Sequence, residues 1–191
     1  MSFSHTAMSQ NIDDAQHSAG YVSRPLVLFA HGKESGPWGS KIQHLARTAE
    51  RHGATTLNPD YTALTNPDDR VSHLRHLTLP SHDRLVLVGS SMGAYVSTVA
   101  SSFLNPDAIF LMAPAFYMPG YANQSPVPST RQTCIVSGWG DEVIPVEHSV
   151  RFARLHRIEL HLLDTDHRLG GVLEEVGVIF ERFLTRQLDA M

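Results

Sequence analysis

A single cysteine, Cys134, in a chain of 191 residues rules out a disulfide within the chain. It lies in the apolar run TCIVSG, where a small buried core residue is the expected role rather than a reactive thiol. Charge is also scarce. Charged residues make up 18% and the net charge is −4, with no cluster of Lys or Arg, so nothing points to a nucleic acid or an anionic membrane as partner. No apolar stretch approaches the ~20 residues needed to span a bilayer. No internal repeat or low-complexity tract occurs, which excludes a solenoid. The opening stretch MSFSHTAMSQNIDDAQHSAG lacks a basic segment leading into an apolar one, so it is not read as a secretory signal, and a cytoplasmic location is expected.

What is present is an ordinary share of apolar residues, 42%. A chain of this length buries roughly 70% of its unfolded surface, enough for a core without metal or cross-links. Residues 1–23 are polar and aperiodic and read as a loosely attached arm; residues 24–191 read as one domain. Within that domain short aliphatic runs alternate with helical periodicity. PLVLFAH (25–31), ATTLNPDY (54–61), RLVLVGS (84–90), DAIFLMAP (107–114), TCIVSG (133–138) and RIELHLLD (157–164) read as strands. Between them, 38–53 carries Ile42, Leu45, Ala46 and Ala49 at helical spacing and stops at Gly53. Segment 66–79 places Val71, Leu74, Leu77 and Thr78 on one face, with a cap at Asn66 or Asp68. Helices are also expected after the third and fifth strands and at the end of the chain. Strictly alternating elements with continuously apolar central strands predict a mainly parallel sheet of about six strands with helices on both faces. Ligands of such sheets sit beyond the C-terminal strand ends.

Polar residues stand at the strand ends. After the third strand comes Gly89-Ser90-Ser91-Met92-Gly93, a G-x-S-x-G pattern with Ser91 at its centre. A serine on a tight strand-to-helix turn is lifted clear of the sheet, and small neighbours let chain segments approach. After the fifth strand, SGWGDEVIP offers Asp141, with Glu142 as the competing acid. After the sixth, DTDHRL offers His167. A serine nucleophile needs a base to take its proton and an acid to orient that base, and these residues supply the types. The first strand runs into HGKESGPWG, whose turn can offer a backbone N–H to an oxyanion. The donors expected are Met92, just after the nucleophile, and Lys33, with Glu34 the alternative to Lys33. His31 is expected to be structural. His73 and His76, one helical turn apart, read as a solvated face rather than a metal site.

The segments HGKESGP, GSSMG, GWGDEVIP and DTDHRL resemble the α/β-hydrolase superfamily over residues 25 to about 188. Gly138, Asp141 and Pro145 match the family's G-x-x-D-x-x-V-P pattern, with Ile144 in place of valine. The His31-Gly32 start, with Ser35 and Pro37, is most similar to the small cap-less bacterial serine esterases of the YqiA-like group. The resemblance implies a reduced α/β-hydrolase fold with no large cap domain, lacking the family's leading antiparallel strands. It implies a serine esterase or related acyl hydrolase with catalytic Ser91, Asp141 and His167.

No metal or organic cofactor is needed for that chemistry, and the expected partner is a small-molecule ester. Because His167 must be neutral to act as base, activity is expected to fall on acidification through about pH 6–7. The connection 113–132 is too short for a multi-helix cap. Phe116, Tyr117, Met118 and Tyr121 within it, with Trp38 and Trp139 at the rim, are the expected pocket walls, suited to short acyl chains. Thioesterase, amidase or acyltransferase activity on the same residues, or a catalytically silent binding module, are the rival readings.

Overall fold

The computed structural model describes residues 24–188; the expected N-terminal arm lies outside the described residues. Six strands are present among them: β1 Leu26–Ala30, β2 Thr55–Leu57, β3 Leu85–Ser90, β4 Ala108–Met112, β5 Thr133–Gly138 and β6 Glu159–Leu163. Five α-helices connect and follow them, with none between β4 and β5: α1 Ser40–Arg51, α2 Pro67–His76, α3 Met92–Leu104, α4 Val146–His156 and α5 Leu173–Leu188. The strands form one sheet in the order β2-β1-β3-β4-β5-β6, and every pairing is parallel.

Alternation along the strands divides the core in two. Val27, Phe29, Val86, Val88, Phe110 and Val136 face α1 and α5. Leu26, Leu28, Leu85, Leu87, Ile109 and Ile135 face the other way, toward α2, α3 and α4. Both faces are dry, which explains why β1, β3, β4 and β5 are buried along their whole length and read as unbroken apolar runs. Phe110 anchors the first layer, with the Phe180 and Phe183 rings of α5 centred 5.0 and 5.5 Å away. Burying each such side chain contributes about 1.5–3 kcal/mol.

Element ends follow local chemistry. The residues expected on the inner face of α1, Ile42, Leu45, Ala46 and Ala49, are all buried. Asn66 caps α2, accepting the Asp68 N–H, and Pro67 occupies the first turn, where its missing N–H does no harm. Two expectations are corrected. β2 is three residues long rather than 54–61, since Pro59 has no N–H to continue a ladder. Helix α2 stops at His76, so Thr78 lies beyond it; Leu77 turns extended (ψ 123°) and the chain runs on to Pro80. No helix among the described residues is long and apolar enough to cross a membrane.

Candidate active site

Strand order reverses direction at one place: the chain steps outward from β1 to β2, then returns to the other side of β1 at β3. Such a switch point leaves a crevice at the C-terminal strand ends. Ser91 stands there, between the end of β3 and the first turn of α3, with φ 56° and ψ −119°. L-residues rarely adopt this backbone. The corner is held by its neighbours: the Ser91 N–H donates to the Met112 carbonyl and the Ala115 N–H donates to the Ser91 carbonyl. Gly93 permits the close approach of α3 to β1. A Cβ there would collide with the Ala30 carbonyl and sit 2.7 Å from the His31 oxygen.

Ser91, His167 and Asp141 are brought together. Ser91 Oγ lies 3.0 Å from His167 Nε2, and His167 Nδ1 lies 2.7 Å from Asp141 Oδ2. A carboxylate only accepts, so Nδ1 carries the proton and Nε2 is free to accept from the serine hydroxyl. The other Asp141 oxygen accepts the Val143 and Ile144 N–H groups at 2.9 and 2.8 Å. The Asp141 side chain is therefore fully engaged and only 2% exposed. Glu142, the competing acid, is exposed on the cavity wall. The His167 loop is pinned at both ends. The Trp139 and Gly140 N–H groups donate to the Leu163 and Thr165 carbonyls, and Leu169 is buried in the core beyond.

His31 is fully buried and structural, as expected. Its Nε2 accepts the Tyr61 N–H at 2.9 Å and its Nδ1 donates to the Gly32 carbonyl at 2.8 Å. Accepting at Nε2 needs the neutral ring, and burial lowers its pKa, outweighing the bond to Gly32, which raises it.

Ser91, Met92, His167 and Lys33 all line one open cavity of about 1150 Å³. Glu34, the alternative donor, lines it too. Of the expected walls, Met118 and Tyr121 line the cavity and the other four do not. Phe116 is fully buried and stacks on Phe152 of α4 at 3.9 Å between ring centroids. Tyr117 packs edge-on to His148 under Arg151, while Trp38 and Trp139 face solvent at 47% and 59% exposure. Flap 113–132 is tied down elsewhere. Tyr95 Oη donates to Asp68 and accepts the Asn123 N–H, while the other Asp68 oxygen accepts the Ala122 N–H. Burial pushes the Tyr95 phenol up to about 12, so it stays a donor at any working pH. The cavity's charges balance: Lys33, Lys41 and Arg168 against Glu34, Glu142 and Asp166.

Arg70 was not anticipated. It is 1% exposed; its guanidinium donates to carbonyls of Leu64 at 2.7 Å, His31 at 2.8 Å, and Gly32 and Tyr61 at 3.4 Å, and lies over the Tyr61 ring, 5.3 Å from its centroid. The available signal was its register, four residues before Leu74 on the inner face of α2.

Cys134, Glu159 and His161 lie within 4.8 Å of one another at the opposite end of the sheet. They do not suit a cation. Glu159 is already bonded by His161 at 2.8 Å and Arg186 at 2.7 Å, with Arg182 at 3.7 Å. Burial pushes the thiol up to about 12. Nor do His73 and His76 converge, since His76 Nδ1 bonds the Ser72 carbonyl and His73 stands edge-on to Tyr61.

No protein-family model matches the chain, and no curated protein matches it. Solved structures do. A candidate hydrolase of the alpha/beta superfamily from Xanthomonas campestris pv. campestris is 30% identical, over 85% of this chain and 99% of that one, with a TM-score of 0.78. An α/β serine hydrolase without a lid, from Xanthomonas campestris, is 20% identical over 91% of this chain and 87% of that one, at a TM-score of 0.67. Est1E from Butyrivibrio proteoclasticus with ferulic acid bound is 16% identical over 87% of this chain and 90% of that one, at 0.69. The last two show a shared fold. With the first, whose length the alignment spans almost completely, they identify the chain as a member of the α/β-hydrolase superfamily.

Proposed function

We propose that the protein is a serine hydrolase that cleaves small, short-chain carboxylic esters through an acyl-enzyme. The observation that carries this reading is the unbroken hydrogen-bonded line Ser91–His167–Asp141, starting at a strained corner and opening into a cavity. His167 takes the Ser91 proton as Oγ attacks the acyl carbonyl. The Met92 and Lys33 N–H groups bind the oxyanion of the tetrahedral intermediate. His167 then gives its proton to the departing alkoxide, and the acyl group stays on Ser91. A water molecule, deprotonated by His167, attacks the acyl-enzyme and releases the acid. Asp141 holds the ring and balances the imidazolium charge. The balanced cavity charge favours a neutral ester, and the Met118 and Tyr121 side chains offer an apolar wall of modest extent.

The test is intact mass after exposure to a fluorophosphonate, for wild type and Ser91→Ala. One adduct on the wild type and none on the variant is expected, followed by faster turnover of C2–C6 than of C12–C16 esters. An unlabelled wild type would sink the reading. A wild type that labels but prefers thioesters or amides would keep the nucleophile and change the substrate class.

A further inference from the structure

Arg70 is far from an obvious choice for a core position. A buried cation without a carboxylate is strongly disfavoured unless many acceptors surround it, and a well-packed apolar side chain would stabilise the fold at least as well. Among the described residues no carboxylate pairs with Arg70; it gathers carbonyl groups from two loops. One is the turn after β1, at His31 and Gly32. The other is the β2–α2 connection, at Tyr61 and Leu64. His31 bridges the same two loops from the other side, through the Tyr61 N–H and the Gly32 carbonyl.

The Gly32–Lys33 peptide is planar and trans, so its C=O and N–H point in opposite directions. Its oxygen is drawn inward by His31 Nδ1 at 2.8 Å and by Arg70 Nη1 at 3.4 Å. Its N–H therefore points the other way, away from Arg70, in a turn whose Gly32 and Lys33 both line the cavity. The turn lies against the nucleophile corner: a Cβ on Gly32 would sit 3.5 Å from Ser91 Cβ. A fixed cation on the carbonyl side also polarises this peptide, raising the partial positive charge on the Lys33 hydrogen.

The geometry points to Arg70 as a positioning residue that aims the Lys33 N–H at the developing oxyanion by holding the His31-Gly32 turn from behind. This rests on the ester-hydrolase reading and adds a residue to it. The effect belongs to the transition state, where the oxyanion forms, and not to substrate binding. Removing one oxyanion donor outright costs about 10²–10³ in kcat. Mis-aiming one should cost a smaller factor, roughly tenfold or more.

The experiment compares wild type, Arg70→Lys and Arg70→Ala in steady-state hydrolysis of a short p-nitrophenyl ester, with circular dichroism to verify folding. Arg70→Ala is measured with and without methylguanidinium at millimolar concentration. A boronic acid that mimics the tetrahedral intermediate is titrated into each. Expected is a kcat about tenfold or more lower in Arg70→Lys with KM within about twofold, and a matching loss of boronate affinity. Methylguanidinium should return part of the kcat of Arg70→Ala. A folded Arg70→Lys enzyme with kcat within twofold of wild type overturns the inference. So does an Arg70→Ala protein that refolds with methylguanidinium without regaining kcat. Loss of fold in both variants, with methylguanidinium present, overturns it too, since Arg70 would then serve folding alone. Wild type without esterase activity would instead sink the function itself.

Discussion

Gly138 lies so close to Asp166 that a Cβ on it would stand 2.8 Å from the Asp166 carbonyl oxygen, and it would collide with the Thr165 carbonyl as well. The end of β5 and the loop that carries His167 are thus packed backbone to backbone. Gly138→Ala should push that loop outward and lengthen the His167–Ser91 hydrogen bond. A displacement near 1 Å can cost about 10² in rate, so a kcat at least tenfold lower is expected. Overpacking should also destabilise the fold by about 1–3 kcal/mol. Steady-state kinetics with thermal unfolding checks both; an unchanged kcat would show that the loop yields without disturbing His167.

Asp141 and Glu142 are neighbours with opposite surroundings. Asp141→Asn keeps an oxygen for the Val143 and Ile144 N–H groups, so the loop should survive. It loses the acceptor that sets the His167 proton on Nδ1, and kcat should fall by about 10⁴. Glu142→Gln should stay within about twofold of wild type, as expected of a surface change. Comparable losses in both variants would count against the assignment of the acid.

Acid should weaken the fold through His31. Burial lowers its folded pKa below the ordinary histidine value, which is about 6.5. Between the two values the unfolded chain holds a proton that the folded chain does not, so stability rises with pH there. The contribution is intact above about pH 6.5 and drains away as pH falls toward the folded value. His156, also lowered by burial, acts in the same direction. Urea unfolding should give a lower midpoint at pH 5 than at pH 7.5, and His31→Gln should flatten the difference. Equal pH dependence in wild type and His31→Gln would remove His31 from the explanation.

Tyr95→Phe should loosen the flap while leaving the acid–base line alone. It deletes the donor to Asp68 and the acceptor of the Asn123 N–H, a loss of about 0.5–1.5 kcal/mol per bond. Because Tyr121 stands edge-on to Tyr95, with ring centroids 4.6 Å apart, the cavity wall should lose definition. KM should rise by roughly threefold to tenfold, about 1 kcal/mol, with kcat little changed. A fall in kcat alone would mean that the flap bears on chemistry rather than binding.

The strands and the three converging side chains were legible because their causes are local. A parallel strand buried on both faces must be apolar throughout, and a serine lifted on a tight turn needs small neighbours. What was not legible depended on direction. Phe116 and Met118 are two residues apart in one connection, yet one stacks on Phe152 and the other lines the cavity. No periodicity operates in an irregular segment to separate them. Trp38 and Trp139 follow the right strands and still turn to solvent. Arg70 was hidden for another reason. Its partners are backbone oxygens, which every residue carries, so the positions it binds leave no mark in the sequence.

The Trp139 and Gly140 donations to Leu163 and Thr165 carry the β5–β6 pairing past the strands and into the loops. Acid and base therefore ride on one continuous strip of paired backbone. The serine rides on a second strip, bonded to Met112 and Ala115 at the root of the flap. Only the space between the two strips has to be kept. Beyond Tyr121 the 113–132 connection is bonded to α2 and α3 through Asp68, Tyr95 and Ser101 before Gln132 rejoins β4 at Ile109, so exchanges in its exposed stretch, residues 124 and 125, can alter the flap without re-registering Ser91, His167 and Asp141.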